Sequence, residues 1–166
     1  MKMHMYSTEY DSHGRICLVA EELPWYGKSA EVYCCAEDVQ KICIDVLRLD
    51  RRTEEYVYCI CLDTAGHITG LFEISHGTKN QSLVSPREVY LKAFLADAVN
   101  VILVHNHPSG DPGPSSFDQV LTKRLAEAGA LIGIGLADHI IIGDHSYYSF
   151  HEQDSARLEV SSYDHN

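Results

Sequence analysis

His105 and His107 are separated by a single residue, and Asp118 follows them within the segment HNHPSGDPGPSSFD. Side chains two apart on an extended segment point to the same side, so both imidazoles can converge on one ion. Asp118 falls in the first turn of the helix expected after the loop, which can fold that turn back over the strand end. Two imidazoles and one carboxylate are three protein ligands. A fourth position is then left for water, the arrangement of catalytic rather than structural zinc. The donor set also suits iron or manganese. Pro108, Pro112 and Pro114 restrict φ, while Gly110 and Gly113 permit angles other residues resist, so the loop loses little entropy in holding its ligands. Ser115 and Asp118 also form the helix-capping pattern S-x-x-D, which needs no chemistry; a capping and a metal role can coexist.

Other polar residues near this segment have plainer readings. Asp111 is a turn residue that could help shape the site, Asp138 and His139 open a strand and are read as structural, and His145 is read as solvated in a turn. The H-x-E and P-C-x-x-C pair of zinc deaminases is absent from the sequence. So is the H-E-x-x-H helix of common zinc proteases.

The elements that must position these residues can be read from periodicity. Residues 1–12 are polar and expected to fray. Residues 15–20 read as a short strand and 23–27 as a loop with an aromatic anchor. Over 36–49 the apolar residues Val39, Ile42, Cys43, Val46, Leu47 and Leu49 recur at helical spacing. Glu37 and Asp38 in the first turn and Arg48 in the last suit the helix dipole. Residues 55–63 (EYVYCICLD) form a strand that turns at Thr64-Ala65-Gly66 into a second strand over 67–75. Ser85-Pro86-Arg87-Glu88 starts a helix with Ser as N-cap, Pro at the first position and Glu at the third. It should reach about Asp97, with Val89, Phe94, Leu95 and Ala98 in the core. Residues 99–104 (VNVILV) are the most apolar short run and read as a central strand. A helix over 116–128 is expected to close at Gly129. Residues 140–142 and 147–150 pair around Gly143-Asp144, and the polar tail from His151 is expected to be mobile. The irregular alternation of strands and helices indicates an α/β (α+β) sandwich rather than a doubly wound fold.

Bulk properties narrow the class. The 166 residues suit one domain, and 45% hydrophobic with 22% charged residues is ordinary for a soluble globular protein. No apolar run approaches the ~20 residues that span a bilayer, and the N-terminus lacks the apolar stretch of a signal peptide. The expected location is cytoplasmic. Six cysteines, at 17, 34, 35, 43, 59 and 61, lie mostly in apolar segments with no C-x2-C pair, as buried free thiols in a reducing compartment would. The net charge of −11 disfavours direct nucleic-acid binding. The longest basic cluster, Arg51-Arg52 with Arg48 nearby, is followed at once by Glu54-Glu55.

His105-x-His107, seven residues, Ser115, two residues, Asp118 matches the H-x-H-x7-S-x2-D signature of the JAB/MPN+ (JAMM) metalloproteases. The surrounding HNHPSGDPGPS and the later ADHIIIGDHSYYSF resemble the RadC branch of that family, which carries a DNA-repair name. The resemblance covers residues 36–150. It implies a JAB/MPN, cytidine-deaminase-like core in which helices flank a mixed sheet. Residues 1–35 would be an N-terminal extension with one short strand, and 151–166 a polar C-terminal tail.

The resemblance further implies Zn2+ held by His105, His107 and Asp118, with a glutamate near the start of a strand that follows a helix as general base. Glu55 fits that position. Glu54 would point to the opposite face, and Glu73 on the second strand is a further candidate. Ser115 would donate a hydrogen bond to the oxyanion. The bond cleaved would be a peptide or isopeptide bond, in a peptide or protein substrate. Two other readings compete. One is a non-catalytic metal-binding accessory module in DNA repair or mobile-element biology, although residues 1–35 lack the helix-hairpin-helix region of full-length RadC proteins. The other is a nuclease using the same metal, disfavoured by one metal site and little positive charge for phosphate.

Overall fold

The computed structural model describes residues 3–23, 35–77, 84–155 and 158. Within them lie seven strands in one sheet: β1 (Met3–Tyr10), β2 (Ile16–Leu23), β3 (Glu55–Leu62), β4 (Ile68–Gly77), β5 (Asn100–Asn106), β6 (Gly135–Ile142) and β7 (Tyr147–Ser149). The spatial order is β2-β1-β4-β3-β5-β6-β7. Parallel pairs (β1 with β4, β5 with β6) mix with antiparallel ones, so the sheet is mixed. Helix α1 (Ala36–Asp45) covers one face; α2 (Pro86–Leu95) and α3 (Ser116–Ile132) cover the other. This is the α/β class with helices flanking a mixed sheet.

Burial on both faces explains why the central strands are apolar almost without alternation. One core packs Cys59, Cys61, Val101 and Leu103 against Val89, Tyr90, Leu121 and Leu125. The other packs Tyr58, Ile60, Ile102, Val104 and Ile140 against Val39, Ile42 and Cys43. Alternation thus assigns odd-numbered β3 and β5 residues to the α2/α3 side, and that is the side on which His105 lies.

Several elements differ from the sequence expectation. Residues 3–10 do not fray: they pair with β2 from Met3↔Leu23 to Tyr10↔Ile16. Their polar character reflects an edge hairpin with much of its surface exposed, and its turn is closed by Asp11, whose Oδ1 accepts from the His13 (2.8 Å) and Arg15 (2.9 Å) amides. The N-terminal region therefore carries two strands, not one. Residues 24–27 of the expected aromatic loop lie outside the described residues.

Helix α1 ends at Asp45; Arg48 sits beyond it at φ 55°, leading into a 3₁₀ turn at Leu49–Arg51 rather than capping the dipole. Helix α2 has the expected capping box between Ser85 and Glu88 but stops at Leu95. Phe94 is 59% exposed and not a core residue, because the buried stripe runs through Val89, Tyr90 and Ala93.

Gly129 does not end α3, which continues to Ile132 and is capped by Gly133 at φ 77°. The reason for glycine at 129 is space: a Cβ there would collide with the Ile134 carbonyl and the Tyr90 hydroxyl. Strand β6 begins at Gly135, so Asp138 and His139 lie in its middle, and the expected polar tail opens with a short helix, α4 (Phe150–Gln153). Of the cysteines described, Cys43, Cys59 and Cys61 are buried, Cys17 is partly buried and Cys35 is exposed; all are free.

Candidate metal centre

The C-terminal end of β5 reaches the site because the strand carries His105 and Asn106 before the chain turns away. His107 still follows the edge of β6, its amide donating to the Ile142 carbonyl at 2.9 Å. The loop then reverses through Gly110 at φ 84°, where the backbone needs a residue without a side chain. Its amide donates to the His107 carbonyl at 2.9 Å, and its carbonyl accepts from the Asp144 amide at 2.8 Å. Helix α3 begins at a reciprocal capping box. Ser115 Oγ accepts from the Asp118 amide at 3.2 Å, and the Ser115 amide donates to Asp118 Oδ2 at 2.7 Å.

That arrangement turns the Asp118 carboxylate back toward the strand end. His105 Nε2 lies 3.1 Å from His107 Nε2 and 3.2 Å from Asp118 Oδ1, and His107 Nε2 lies 3.5 Å from Asp118 Oδ2. Bonds of about 2.0–2.1 Å to a tetrahedral zinc place neighbouring ligand atoms about 3.3–3.4 Å apart, so each of these contacts has about the length of one tetrahedral edge, with the two imidazoles meeting different oxygens of the carboxylate. The three are the metal-competent group found among the described residues. His105 is 2% and Asp118 4% exposed, while His107 borders the outside.

The tautomer of His107 follows from its partner. Its Nδ1 lies 2.8 Å from the Asp111 carbonyl, which can only accept, so Nδ1 carries the proton and neutral Nε2 presents a lone pair to the centre. Asp111 thus shapes the site through its backbone, while its Oδ1 accepts from the Gly113 amide at 2.8 Å.

Electrostatics follow from packing. Burial pushes the Asp118 carboxyl upward, but the adjoining imidazoles of His105 and His107 outweigh it and hold it far below the ordinary carboxylate range. The Asp118 carboxylate beside it raises His107 above its ordinary value, against the effect of burial. Glu55 is half-buried, and burial raises its carboxyl; its charge is felt by His105, His107 and Asp118.

The three candidate glutamates are sorted by placement. Glu55 opens β3 beside the histidines. Glu54 is exposed, and its backbone carbonyl accepts from Asn106 Nδ2 at 3.0 Å. Glu73 pairs across from Tyr58 and is held by the Tyr58 hydroxyl at 3.2 Å and His76 at 2.9 Å, with Tyr58 in the core on the opposite face of the sheet. Ser115 donates its hydroxyl proton to Asp118 Oδ2 at 2.5 Å.

Three further residues bear on the centre. Asn106, 1% exposed, accepts from the Tyr56 amide at 2.9 Å and donates to the Glu54 carbonyl, clamping the backbone on both sides of Glu55. His139 and Thr122, both 0% exposed, stand behind His105, with His139 Nε2 2.9 Å from His105 Nδ1. Thr122 was within reach of sequence reasoning, since it lies one turn after Asp118 on the same helix face. His139 and Asn106 required the strand pairing. Asp138 is architectural: its carboxylate accepts from Ser149 Oγ at 2.6 Å and the His151 amide at 2.9 Å, tying β7 and α4 to β6. His145 is exposed in its turn.

The family model for the RadC-like JAB domain matches residues 33–155. The chain belongs to the RadC-like JAB domain family. A UPF0758 protein of Thermotoga maritima is 44% identical over 115 residues, covering 69% of this chain and 50% of that protein. One from Desulforamulus reducens is 50% identical over 116 residues, covering 69% of this chain and 50% of the relative. One from Trichlorobacter lovleyi is 50% identical over 103 residues, covering 62% and 44%. The chain spans about half the length of the curated relatives it matches. Among the described residues of this RadC-like JAB domain, no helix is long and apolar enough to cross a membrane.

Proposed function

We propose that this RadC-like JAB domain is a zinc-dependent hydrolase of amide bonds, acting on a peptide or isopeptide linkage. The observation that carries the reading is the convergence of His105, His107 and Asp118, standing beside a half-buried carboxylate: the imidazole Nε2 atoms lie 3.1 Å apart, and they lie 3.2 Å from Oδ1 and 3.5 Å from Oδ2 of Asp118, respectively. The donor set suits zinc, two neutral imidazoles and one carboxylate, and it leaves one position of a tetrahedron for water or substrate. When bound there, zinc supplies a Lewis acid that brings the pKa of water toward ~7 and polarises a carbonyl.

Glu55 is the proposed general base. Its burial raises its proton affinity, which favours taking a proton from the attacking water and returning it to the leaving amine. Ser115 is the proposed oxyanion donor, a role in which its hydroxyl proton turns from Asp118 to the developing negative charge. An open cleft of about 330 Å³, lined by Asp50, Arg52, Ser109, Gly143 and Asp144 among others, touches the proposed centre through His107 alone; His105, Asp118, Glu55 and Ser115 do not line it.

The proposed organisation has residues 36–150 as the JAB/MPN unit, preceded by the N-terminal extension. The test is cleavage of peptide and isopeptide libraries by the zinc-loaded protein beside Glu55→Gln. Cleavage by the wild type and none by the variant, with equal zinc content, is expected; no cleavage of any library by zinc-loaded wild type would count against hydrolysis.

A further inference from the structure

A chain of buried polar groups runs from the back of His105 to the first turn of α3. His105 Nδ1 is 2.9 Å from His139 Nε2, His139 Nδ1 is 2.6 Å from Thr122 Oγ1, and Thr122 Oγ1 is 2.6 Å from the Asp118 carbonyl. Thr122 and His139 are 0% exposed and His105 2%, so these atoms are shut off from bulk solvent and meet one another directly. His139 also stacks on Phe150 at 5.1 Å and 9°, which fixes its ring plane.

The direction of every proton in this chain can be deduced from its far end. A carbonyl oxygen only accepts, so Thr122 spends its single hydroxyl proton on Asp118, a back-bond to the residue four earlier. At His139 the hydroxyl oxygen must then accept, and His139 Nδ1 carries the proton. The other nitrogen of that neutral ring, Nε2, is therefore an acceptor. His105 Nδ1 must donate to it, and the proton is absent from His105 Nε2, the atom facing His107 and Asp118.

We propose that Thr122 and His139 are positioning residues that lock His105 in the tautomer whose Nε2 lone pair faces the metal. The inference rests on the metal-binding reading of the centre and adds a device to it. His107 is set by a single carbonyl, whereas His105, buried away from any such carbonyl, is set through two intermediaries. Because the chain ends on the carbonyl of Asp118 itself, the residue supplying the carboxylate also dictates the lone pair of the facing histidine. Replacing Thr122 by valine keeps the shape but removes the acceptor, freeing His139 to place its proton on Nε2. His105 would then accept at Nδ1 and carry its proton at Nε2, where it blocks coordination.

The test compares the full chain with Thr122→Val and Thr122→Ser. The His105 ring is read by long-range ¹H–¹⁵N correlation in the metal-free proteins, and zinc ion alone is titrated against each. In the wild type, His105 should be protonated at Nδ1 and not at Nε2. Thr122→Val should weaken zinc binding by roughly ten- to a hundred-fold, the range for lost partners of metal-ligating histidines, with a mixed His105 tautomer. Thr122→Ser should restore both to near wild type. A proton on His105 Nε2 in the wild type overturns the proposal whether or not the variants fold. So does a folded Thr122→Val with wild-type zinc affinity. A wild type that binds no zinc while His105 shows the expected tautomer overturns the metal reading and leaves the relay standing.

Discussion

Asn106→Leu should loosen the start of β3 and with it the placement of Glu55. The backbone ladder between β3 and β5 ends at the pair Val57↔His105. Beyond it the Asn106 side chain stands in for a peptide unit, accepting from the Tyr56 amide at 2.9 Å and donating to the Glu54 carbonyl at 3.0 Å. Leucine has similar volume, so little cavity term enters. Two neutral hydrogen bonds at about 0.5–1.5 kcal/mol each give an expected loss of about 1–3 kcal/mol. Glu54 is exposed, so its freed carbonyl regains water and the cost should not rise to that of two buried orphans. Urea unfolding of the metal-free protein reads this directly, as a lower midpoint with unchanged slope. The Glu55 carboxyl, titrated by ¹³C NMR, should fall back toward its ordinary 4.5 as its burial is lost. A stability loss under about 0.5 kcal/mol, or an unmoved Glu55 titration, would refute the clamp.

Other outcomes follow from the same geometry. Gly129→Ala should destabilise by about 1–3 kcal/mol through overpacking against Tyr90 and the Ile134 carbonyl, seen as a lower Tm; an unchanged Tm would mean that α3 shifts freely. The raised pKa of metal-free His107 adds stability below its ordinary 6.5, lost as pH rises through the folded value. Zinc must displace that proton, so its affinity should fall as pH drops through the folded pKa of His107, with protons released on binding in that range. Calorimetry in two buffers of different ionisation enthalpy should give different heats; equal heats would contradict it. If Glu55 is the base, kcat/KM should rise with pH through a pKa above 4.5. Glu55→Gln should remove that limb and lower the rate about 10²–10⁴-fold.

Much of the centre was legible before any fold was known. Spacing alone places His105 and His107 on one side of an extended strand end, and S-x-x-D marks the helix turn that returns Asp118. Glu55 was reachable from the resemblance, but its separation from Glu54 and Glu73 depends on which face of the sheet each occupies, a property of register. His139 reads as an ordinary strand histidine until the parallel pairing of β6 with β5 sets it behind His105. The first N-terminal strand, β1, was invisible for a different reason, whereas β2 was legible as a strand over 15–20. An edge hairpin whose side chains stay largely exposed shows little hydrophobic alternation, and its backbone pairing leaves only the Asp11–Gly14 turn as a trace. Gly129 shows the converse error: a helix glycine marks close packing as readily as a helix end.

The central claim is a single metal site built by His105, His107 and Asp118. Its most direct measurement is zinc stoichiometry and affinity of the purified chain beside His107→Ala and Asp118→Ala, with folding of each followed by circular dichroism. One tightly held zinc per wild-type chain, and its loss from both folded variants, is the expected result. Wild type without zinc, or folded variants that keep it, would contradict the claim.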